Sequence, residues 1–353
     1  MQNQLVFGAG LIGCYLGTVL TQISQQRDPK KPSVTLYCRP SVVERIHAGV
    51  SLTDYNHNNV MCDSLHLVDN LSELQSRSTF DLIWLTVKCT SVEQAVIELA
   101  PIMDDRTVIL CCQNGLDSDA IVRRAFPNNP VVRVMVPFNV VEQPGPNFHR
   151  GSEGKMIIEH SKHDQAVTES LRLGSLNTGD EQSILPIDFC ADMTAMQWAK
   201  LQLNLGNSVN ALANIPVKAM LEQRKYRLVI AAMMSELLGV TKMKGLRLPQ
   251  IGSVGAAIIP WVLRLPDFLF KRVANQMLKI DPNVRTSMWW DLQQGRVTEI
   301  EFLNGAVVRY ASQEGLECTV TSAIVDMIHE RERKKDAEAA ISAEELYTAV
   351  GLG

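Results

Sequence analysis

The amino-acid sequence predicts two domains of different class: an α/β N-terminal domain on a doubly wound, mostly parallel sheet, and an all-α C-terminal domain. Up to about residue 185, short apolar runs alternate with helical stretches, which is the pattern of a parallel sheet wound by helices. Beyond that point, long helical patterns dominate. Because 353 residues exceed one typical hydrophobic core, we expect two domains. The change of pattern places the boundary near Ser183–Asp188, which gives domains over 1–186 and 187–353.

Apolar runs and helical periodicity locate the elements of both domains. The predicted strands are Leu5–Phe7, Val34–Cys38, Leu82–Val87, Val108–Cys112, Val131–Val136 and Met156–Glu159. Helices between them are predicted near Leu11–Ser24, Ser41–Ala48, Val92–Leu99 and Asp117–Ala125. The second domain is predicted to hold helices over Met193–Ile215, Tyr226–Lys244, Ser287–Gln293, Glu299–Glu314, Ser322–Ala340 and Ala343–Ala349. The segment Glu142–Asn147, rich in Pro and Gly, is predicted to be a loop.

A glycine-rich turn directly follows the first predicted strand, and its residues are Gly8, Ala9, Gly10, Leu11, Ile12 and Gly13. Gly8 permits the tight turn, Gly10 lets a pyrophosphate approach the backbone, and Gly13 lets the helix pack closely on the strand. The helix N-terminus offers amide groups and the positive end of a dipole to the phosphates. This context is typical of a dinucleotide-binding Rossmann domain, and a plain strand-to-helix turn is the alternative.

The end of the second predicted strand indicates which dinucleotide is bound. An NAD site places an acidic residue there for the ribose 2′-hydroxyl, but this chain reads Cys38-Arg39-Pro40. The guanidinium of Arg39 can pair with a 2′-phosphate, or Arg39 is a solvated loop residue. The nearest acidic residues fit poorly, since Asp28 precedes the strand and Glu44 falls in the following helix. We therefore predict NADPH as the cofactor rather than NADH.

Composition and charge exclude several function classes. A formal net charge of −4 gives no footprint for nucleic acid. The apolar stretch Val254–Phe270 contains Pro and charged residues, whereas about 20 uninterrupted apolar residues span a membrane. The apolar stretch Ile251–Phe270 leaves a homodimer through the helical domain open. The eight cysteines form no CxxC pair, so we expect no metal site and reduced thiols in a cytoplasmic protein. Because the first predicted strand begins early in the sequence, we expect no signal peptide.

Two polar residues stand at the carboxyl ends of predicted strands, where open α/β sheets bind ligands. Lys88 follows the strand Leu82–Val87, and Asn114 comes shortly after the strand Val108–Cys112. Lys88 could instead be a lysine that extends to solvent, and Asn114-Gly115 could be only a turn. Because both lie at the sheet edge that holds the glycine turn, we predict that they are functional.

A polar stripe on an otherwise apolar helix is the sharper signal in the second domain. Lys200 and Asn204 share one face at i and i+4, and Asn207 and Ser208 extend that face by another turn. Burying such groups without a partner costs on the order of 1 to several kcal/mol. We therefore expect a polar cleft along this helix.

Two later segments add candidate polar groups. Ser287 lies at the start of a predicted helix. Thr298 has the features of a helix N-cap, with Glu299 in the first turn, where the helix dipole favours a carboxylate. A purely structural role is the alternative for Glu299.

Together these motifs resemble those of the ketopantoate reductase family. The resemblance covers nearly the whole chain, from the glycine turn to the segment Thr298–Gly305, and its C-terminal motifs are far more specific than the glycines. It implies a Rossmann domain followed by a helical domain. It also implies NADPH-dependent reduction of the 2-keto acid 2-dehydropantoate (ketopantoate) to pantoate, on the route to pantothenate and coenzyme A.

The resemblance also implies a role for each candidate residue. Lys200 and Glu299 match catalytic residues; the positions that match substrate contacts are Asn204, Ser208, Ser287 and Asn114. Those that match cofactor contacts are Gly8, Ala9, Gly10, Leu11, Ile12, Gly13, Arg39, Lys88, Asn114 and Glu299. One departure is that the family pattern has a second asparagine eight residues after the lysine, where this chain has Ser208, with Asn207 just before it. The second substrate contact therefore stays open.

Two other functions remain open from the sequence. One is a related NADPH-dependent reductase of another 2-keto acid or a 3-hydroxy acid dehydrogenase of the same build, because Ser208 departs from the family pattern. The other is a non-catalytic NADPH-binding sensor. The polar set Lys200, Asn204, Ser287 and Glu299 argues against a sensor, which has no need of proton-transfer groups. The expected partner is a small 2-keto acid, with no nucleic acid and no membrane.

Overall fold

The chain forms two compact units of different class. A computed structural model describes residues 3–28, 33–75, 79–171, 184–251, 254–274, 283–336 and 338–353. The N-terminal unit contains the chain up to Asn114 together with Ser118–Met193, and the C-terminal unit contains Gly115–Asp117 together with Thr194–Gly353. The first is α/β and the second is helical, which confirms the predicted fold class.

Short strands and helices alternate along the N-terminal unit. Its strands are β1 (Gln4–Phe7), β2 (Val34–Tyr37), β3 (Val50–Asp54), β4 (Asn59–Cys62), β5 (Leu67–Val68), β6 (Leu82–Leu85), β7 (Val108–Cys111), β8 (Val131–Met135), β9 (Val140–Gln143), β10 (Asn147–Arg150), β11 (Met156–Glu159) and β12 (Ile187–Cys190). Its helices are α1 (Leu11–Arg27), α2 (Pro40–Ile46), α3 (Leu71–Gln75), α4 (Val92–Leu99), α5 (Ser118–Ala125) and α6 (Asp164–Leu171), with 3-10 turns at Cys89–Ser91 and Ala100–Ile102.

The main sheet has eight strands in the order β12-β11-β8-β7-β6-β1-β2-β5. The six strands from β8 to β5 in this order are parallel, β11 is antiparallel to β8, and β12 is parallel to β11. The strand order reverses at β1, which is the switch point where doubly wound sheets bind nucleotides. The predicted strands all lie in this sheet, close to their predicted bounds.

Both faces of the sheet are covered, which explains its continuous apolar runs. All residues of β1, β6 and β7 are buried. In β1, Leu5 and Phe7 belong to one apolar cluster and Val6 belongs to another, because successive side chains of a strand point to opposite faces. A strand buried on both faces lacks the alternating pattern of a half-exposed strand.

A second, four-stranded sheet in the order β4-β3-β10-β9 was not predicted. The predicted loop Glu142–Asn147 is confirmed only for residues 144–146, which form the turn of an antiparallel hairpin between β9 and β10, with Gly145 at φ +81°. Parallel pairing joins β10 to β3, and Arg150 and Asp54 form a fully buried ion pair between them at 3.3 Å.

The end of the N-terminal unit lies later in the chain than the predicted boundary at 186/187. Strand β12 begins at Ile187 and pairs in parallel with β11, so a cut before it would remove an edge strand from the main sheet. We therefore propose the boundary between Met193 and Thr194. Residue 183, the first residue of the predicted boundary region, lies outside the described residues.

The C-terminal unit is built from helices. They are α7 (Met193–Asn204), α8 (Gly206–Ala213), α9 (Val217–Leu221), α10 (Arg224–Met243), α11 (Ile259–Arg264), α12 (Asp267–Val273), α13 (Ser287–Gln293), α14 (Asn304–Gln313), α15 (Thr319–Lys334) and α16 (Ala343–Ala349), with a 3-10 turn at Ile300–Phe302. Helices α13 and α16 have their predicted bounds. The predicted helix over Met193–Ile215 is divided at Leu205, and the one over Glu299–Glu314 becomes α-helical only at Asn304.

Helix α10 is the centre of the C-terminal core and packs against α8, α9, α11, α14, α15 and α16. Its buried Arg227 ties several of these elements together. The guanidinium donates to the carbonyl oxygens of Leu221, Leu263 and Leu265 and to the carboxylate of Asp267, at 2.7–3.1 Å. It also stacks on Phe270 at 4.1 Å. One side chain therefore joins the ends of α9 and α11 and the start of α12 to α10.

Several large apolar side chains are exposed on α11, on α12 and at Ile258, which directly precedes α11. They are Ile258, Trp261, Phe268, Leu269 and Val273, and Trp261 and Phe268 are each 72% exposed. We call this set the α11–α12 apolar face. Residues 252 and 253 of the apolar stretch noted in the sequence lie outside the described residues.

Three further observations concern membrane, metal and thiol chemistry. None of the helices in the described ranges is long and apolar enough to cross a membrane. Among the same residues, no cluster of three or more His, Cys, Asp or Glu could hold a metal ion. The eight cysteines are thiols, and most of them are buried.

Replacing Arg227 by Leu is expected to destabilise the C-terminal unit. The substitution leaves buried carbonyl oxygens without their charged donor, which costs about 3–5 kcal/mol. The free energy of unfolding, measured by urea denaturation, gives this value directly. Arg224 is the matched control, because it lies on the same helix but is exposed and makes one long contact, at 3.3 Å to the carbonyl of Arg264. Equal losses for Arg227→Leu and Arg224→Leu would contradict this account of the core.

Candidate active site

The glycine turn lies at the carboxyl end of β1 and has the geometry of a phosphate cradle. Gly8 has φ +103°, and a Cβ there would lie 2.5 Å from the side chain of Val87. A Cβ at Gly13 would lie 2.2 Å from the carbonyl oxygen of Gly8. At Gly10, by contrast, a Cβ would meet no described atom within 4 Å. Two glycines are therefore required by packing, and the third keeps the turn open to a ligand.

The N-terminus of α1 begins in this turn with no competing group from the described residues. No side chain caps the helix at Gly10, and its first turn contains no acidic residue. The amide groups and the positive end of the helix dipole can therefore act on an anion. The turn itself is held by the carbonyl oxygen of Tyr37 in β2, which accepts from the amides of Gly8 and Ala9 at 3.1 and 3.3 Å.

Arg39 is exposed at the end of β2, where the sequence predicted it. It occupies the N-cap position of α2, and its carbonyl oxygen accepts from the amides of Val42 and Val43. Sequence reasoning missed an exposed acid beside it. Asp69 follows β5, and the pairing of β5 with β2 brings it near Cys38, whose amide donates to Val68 at 2.9 Å. This end of the sheet thus carries both a cationic and an anionic side chain.

The loops that hold Lys88 and Asn114 are joined by hydrogen bonds. Both residues are exposed, after β6 and β7 respectively. The Gln113 side chain donates to the carbonyl oxygens of Leu85 and Val87 at 2.8 and 3.0 Å. The Cys89 thiol donates to the carbonyl oxygen of Asn114 at 2.9 Å. The structure therefore brings these two predicted residues to one place, through a glutamine that sequence reasoning missed.

The same edge of the sheet is tied to the glycine turn by Thr86. Its hydroxyl donates to the carbonyl oxygen of Gly8 at 2.7 Å, and Phe7 lies within 3.2 Å as a second acceptor. Thr86 follows β6 directly, just before Val87 and Lys88. The carboxyl ends of β1, β6 and β7 thus form one hydrogen-bonded rim, which is where an open α/β sheet binds its ligand.

Helix α7 carries the half-buried Lys200 of the C-terminal unit. Burial lowers the pKa of its ammonium group to about 8, because the charged form loses hydration. Asn204 follows one turn later and is also half-buried, whereas Leu201 and Gln202 are fully buried. A lysine with this pKa can release a proton near neutral pH, which is the property of a general acid.

Ser208 is not on the accessible face of this helix. It is fully buried, its hydroxyl donates to the carbonyl oxygen of Leu205 at 2.9 Å, and it accepts from the amide of the buried Asn304 at 3.1 Å. The expectation that Ser208 contacts substrate does not fit this placement. Its hydroxyl instead supports the start of α14 through Asn304, a residue that lies far away in the sequence.

Ser287 is exposed as the first residue of α13, and the start of that helix is fixed by Asn210. The Asn210 side-chain oxygen accepts from the Thr286 amide at 3.0 Å and from its hydroxyl at 3.1 Å. The Asn210 amide in turn donates to the carbonyl oxygen of Ile215 at 2.7 Å. Sequence reasoning missed Asn210, although a polar residue within the apolar run Val209–Ala213 was an available signal.

Glu299 is buried at the start of the 3-10 turn Ile300–Phe302, not in the first turn of an α-helix. It is 8% exposed, and its carbonyl oxygen accepts from the amides of Phe302 and Leu303. The N-cap position of the turn falls on Glu299, one residue after the expected Thr298, but the Thr298 side chain still caps the turn. The Thr298 hydroxyl accepts from the Ile300 amide at 3.2 Å, and its own amide donates to Glu332 at 2.7 Å.

An ion-pair network surrounds this turn. The imidazole of His329 lies 2.7 Å from Glu301 and 3.1 Å from Glu332. Burial opposes the imidazolium form, but the hydrogen bonds to both carboxylates raise the pKa of His329 above its ordinary value. Arg309 links Glu301 to Asp117 at 3.2 and 2.9 Å. The turn after Glu299 is therefore held from several sides.

Comparison with known proteins identifies the family of both halves. The family model described as ketopantoate reductase PanE/ApbA matches residues 4–163, and the one described as ketopantoate reductase PanE/ApbA C terminal matches residues 192–332. A 2-dehydropantoate 2-reductase from Mesorhizobium japonicum is 25% identical over 328 residues, covering 86% of this chain and 89% of that protein.

Solved structures share the fold at low sequence identity. A PanE/ApbA family ketopantoate reductase from Ralstonia eutropha has a TM-score of 0.73 at 22% identity, covering 94% of this chain and 99% of the other. D-mandelate dehydrogenase with NADH and anilino(oxo)acetate has a TM-score of 0.72 at 17% identity, with coverage of 94% and 99%. A dimeric ketopantoate reductase from Staphylococcus aureus has a TM-score of 0.67 at 17% identity, with coverage of 94% and 99%.

The two family models together match well over half of the residues, from the glycine turn into α15. The chain therefore belongs to the ketopantoate reductase family.

Proposed function

We propose that the protein is an NADPH-dependent 2-dehydropantoate 2-reductase, which reduces ketopantoate to pantoate on the route to pantothenate and coenzyme A. Its family makes it an oxidoreductase that acts on a keto acid. The observation that carries the finer proposal is Lys200, a half-buried lysine whose pKa is lowered to about 8 and which shares a helix face with Asn204. That pair supplies a proton donor and a polar contact for a keto acid.

The N-terminal unit fits a dinucleotide. Packing requires glycine at positions 8 and 13, and the open turn at Gly10 leads into an uncapped helix N-terminus, so Gly8–Gly13 would hold the pyrophosphate. Arg39 would pair with the 2′-phosphate, and Lys88 and Asn114 would contact the rest of the cofactor. The nicotinamide cofactor, when bound, supplies the hydride for the keto carbon.

The residues of the C-terminal unit would act on the substrate. Lys200, as an ammonium, stabilises the negative charge that develops on the carbonyl oxygen and donates the proton to it. Glu299 orients Lys200 and accepts a hydrogen bond from the substrate, and we retain its predicted contact with the cofactor. Asn204 and Ser287 hold the carboxylate and the remaining polar groups. Positioning of this kind lowers the activation barrier by several kcal/mol, and about 7–11 kcal/mol is the most that ideal orientation contributes.

The experiment that tests this function follows the absorbance of the reduced nicotinamide with purified protein, ketopantoate and a panel of other 2-keto acids, using NADPH and NADH in parallel. We expect turnover to be fastest with ketopantoate and NADPH. Binding of NADPH without turnover of any keto acid would overturn the enzyme proposal and favour the sensor.

A second candidate is a reductase of another 2-keto acid. Two observations favour keeping it: Ser208 stands where the family pattern has asparagine, and D-mandelate dehydrogenase shares the fold. In the same panel, a preference for an aryl or a larger 2-keto acid over ketopantoate would establish this candidate in place of the first.

Replacing Lys200 by Ala is expected to lower kcat by about 10²–10⁴-fold, which is the usual contribution of a positioned acid, and to leave NADPH affinity unchanged. Because the ammonium is the active form and its pKa is about 8, kcat/KM should fall as pH rises through this value. Lys200→Arg should lower kcat and abolish that fall, because a guanidinium stays charged in this pH range but does not release its proton. The exposed Lys242 is the control, and its Ala variant should behave as wild type. Near-normal turnover of Lys200→Ala would refute the role of Lys200.

Replacing Arg39 by Ala is expected to raise the KM for NADPH by about 10- to 100-fold, since a charge-assisted hydrogen bond contributes about 1.5–3 kcal/mol. The KM for NADH should not change. Asp69→Ala is the matched variant at the same rim, and it should leave the KM for NADPH unchanged. A rise in the KM for NADH in Asp69→Ala, with no effect of Arg39→Ala, would show that the site is built for NADH.

We further propose a homodimer that buries the α11–α12 apolar face. The support is the exposure of Trp261 and Phe268 and the S. aureus relative described as dimeric. In light scattering, the wild-type mass should be twice that of one chain, and the variant Trp261→Ser/Phe268→Ser should be monomeric. Ile97→Ser removes an equally exposed side chain from α4 and is the control. A monomeric wild-type protein would contradict this proposal.

The remaining partner and compartment predictions also stand as proposals. The substrate is a small 2-keto acid, and we expect no binding of nucleic acid because the net charge of −4 leaves no excess of positive charge. We propose the cytoplasm as the compartment, because the eight cysteines are thiols and most are buried.

A further inference from the structure

The polar residues of α7 are followed by those of α8, and only Leu205 separates the two helices. Leu205, between the two helices, keeps helical angles of φ −57° and ψ −31°, and its amide donates to the carbonyl oxygen of Leu201 at 3.1 Å. In a regular helix with about 100° per residue, position 207 lies about 20° from the direction of position 200, whereas position 208 lies about 80° away. Helix geometry therefore puts Asn207, not Ser208, in line with Lys200 and Asn204.

Burial follows the same division. Lys200, Asn204 and Asn207 are half-buried, whereas Ser208 is fully buried. The hydroxyl of Ser208 is also committed on both sides, as a donor to Leu205 and as an acceptor from Asn304. Because the side chain is fully buried and hydrogen-bonded to both partners, it is not accessible to a substrate.

The side-chain amide of Asn207 is available to a ligand. Within the described ranges it makes no hydrogen bond, and only its backbone carbonyl is used, as the acceptor of the Thr286 hydroxyl at 3.3 Å. That bond sets the first turn of α8 beside the residue that precedes Ser287. Asn207 therefore adjoins two groups that we propose to contact substrate: Asn204 one turn before it on the helix, and Ser287 at the start of α13.

We propose that Asn207 is the residue that recognises the polar end of the substrate distal to the reacting carbonyl. This inference rests on the proposed function of Lys200. Seven residues separate Asn207 from Lys200, which is about 10 Å along the helix axis, a span that two side chains and a short keto acid fill. An amide both donates and accepts, so it matches a hydroxyl. The structure thus favours a 2-keto acid that carries a distal hydroxyl, as ketopantoate does.

The test compares kcat/KM for ketopantoate with that for 3,3-dimethyl-2-oxobutanoate, which lacks only the distal hydroxyl. Asn207→Ala should lower kcat/KM for ketopantoate by about 10- to 100-fold and change the value for the analogue little, because only one substrate loses a hydrogen bond. The KM for NADPH and the melting temperature should not change.

Ser208→Ala is the matched control on the neighbouring position. It should lower the melting temperature, because Asn304 loses a buried partner, and leave the ratio of the two substrates unchanged. The double variant Asn207→Ala/Ser208→Asn should not recover the preference for ketopantoate, because position 208 points into the core.

Three outcomes overturn the assignment. The first is a wild-type preference for ketopantoate that Asn207→Ala retains. The second is a loss of that preference in Ser208→Ala with an unchanged melting temperature. The third is recovery in the double variant. A wild-type protein that reduces no 2-keto acid would overturn the proposed function itself, and with it the role of Asn207.

Discussion

The chemistry proposed for this protein depends on one constraint: an ammonium group is kept half-buried on an apolar helix. Removing water from Lys200 lowers its pKa to about 8, so the group is charged at neutral pH yet can release its proton. An exposed lysine would hold its proton too tightly to donate it readily, and an apolar residue would have none. Burial of this lysine therefore has a chemical role as well as a packing role.

The polar groups that we propose for substrate and cofactor are positioned by side chains that have no direct part in the proposed reaction. Asn210 fixes the start of α13 and hence Ser287, and the contacts of Thr298 with Glu332 fix the turn that follows Glu299. In the N-terminal unit, Thr86 and Gln113 do the same for the rim that holds the glycine turn, Lys88 and Asn114. Buried hydrogen bonds of this kind cost little when complete and much when broken, so they fix the geometry of the exposed groups.

The sequence alone predicted features whose causes are local. A side chain at Gly8 or Gly13 is excluded by atoms of the same strand-turn-helix unit or of the neighbouring strand end. The spacing of the two glycines could therefore be recognised in the sequence. Helix α16 begins with a capping box, Ser342 with Glu345, that is written in four consecutive residues. The second sheet was not predictable in this way. Its strands have four or five residues and half-exposed faces, and the partners β3 and β10 lie far apart in the sequence. The placement of Ser208 has the same cause, because its partner Asn304 is 96 residues away.

The most direct test of the account is the pKa of Lys200 itself. NMR of isotope-labelled lysine side chains across a pH titration, with Lys200→Arg to identify the signal, measures it without any assay of activity. We expect the Lys200 signal to titrate with a midpoint near 8, well below the ordinary lysine value of 10.5. A Lys200 signal that titrates together with the exposed lysines would contradict it, because the group would then be hydrated and the proposed proton donor would have no special property.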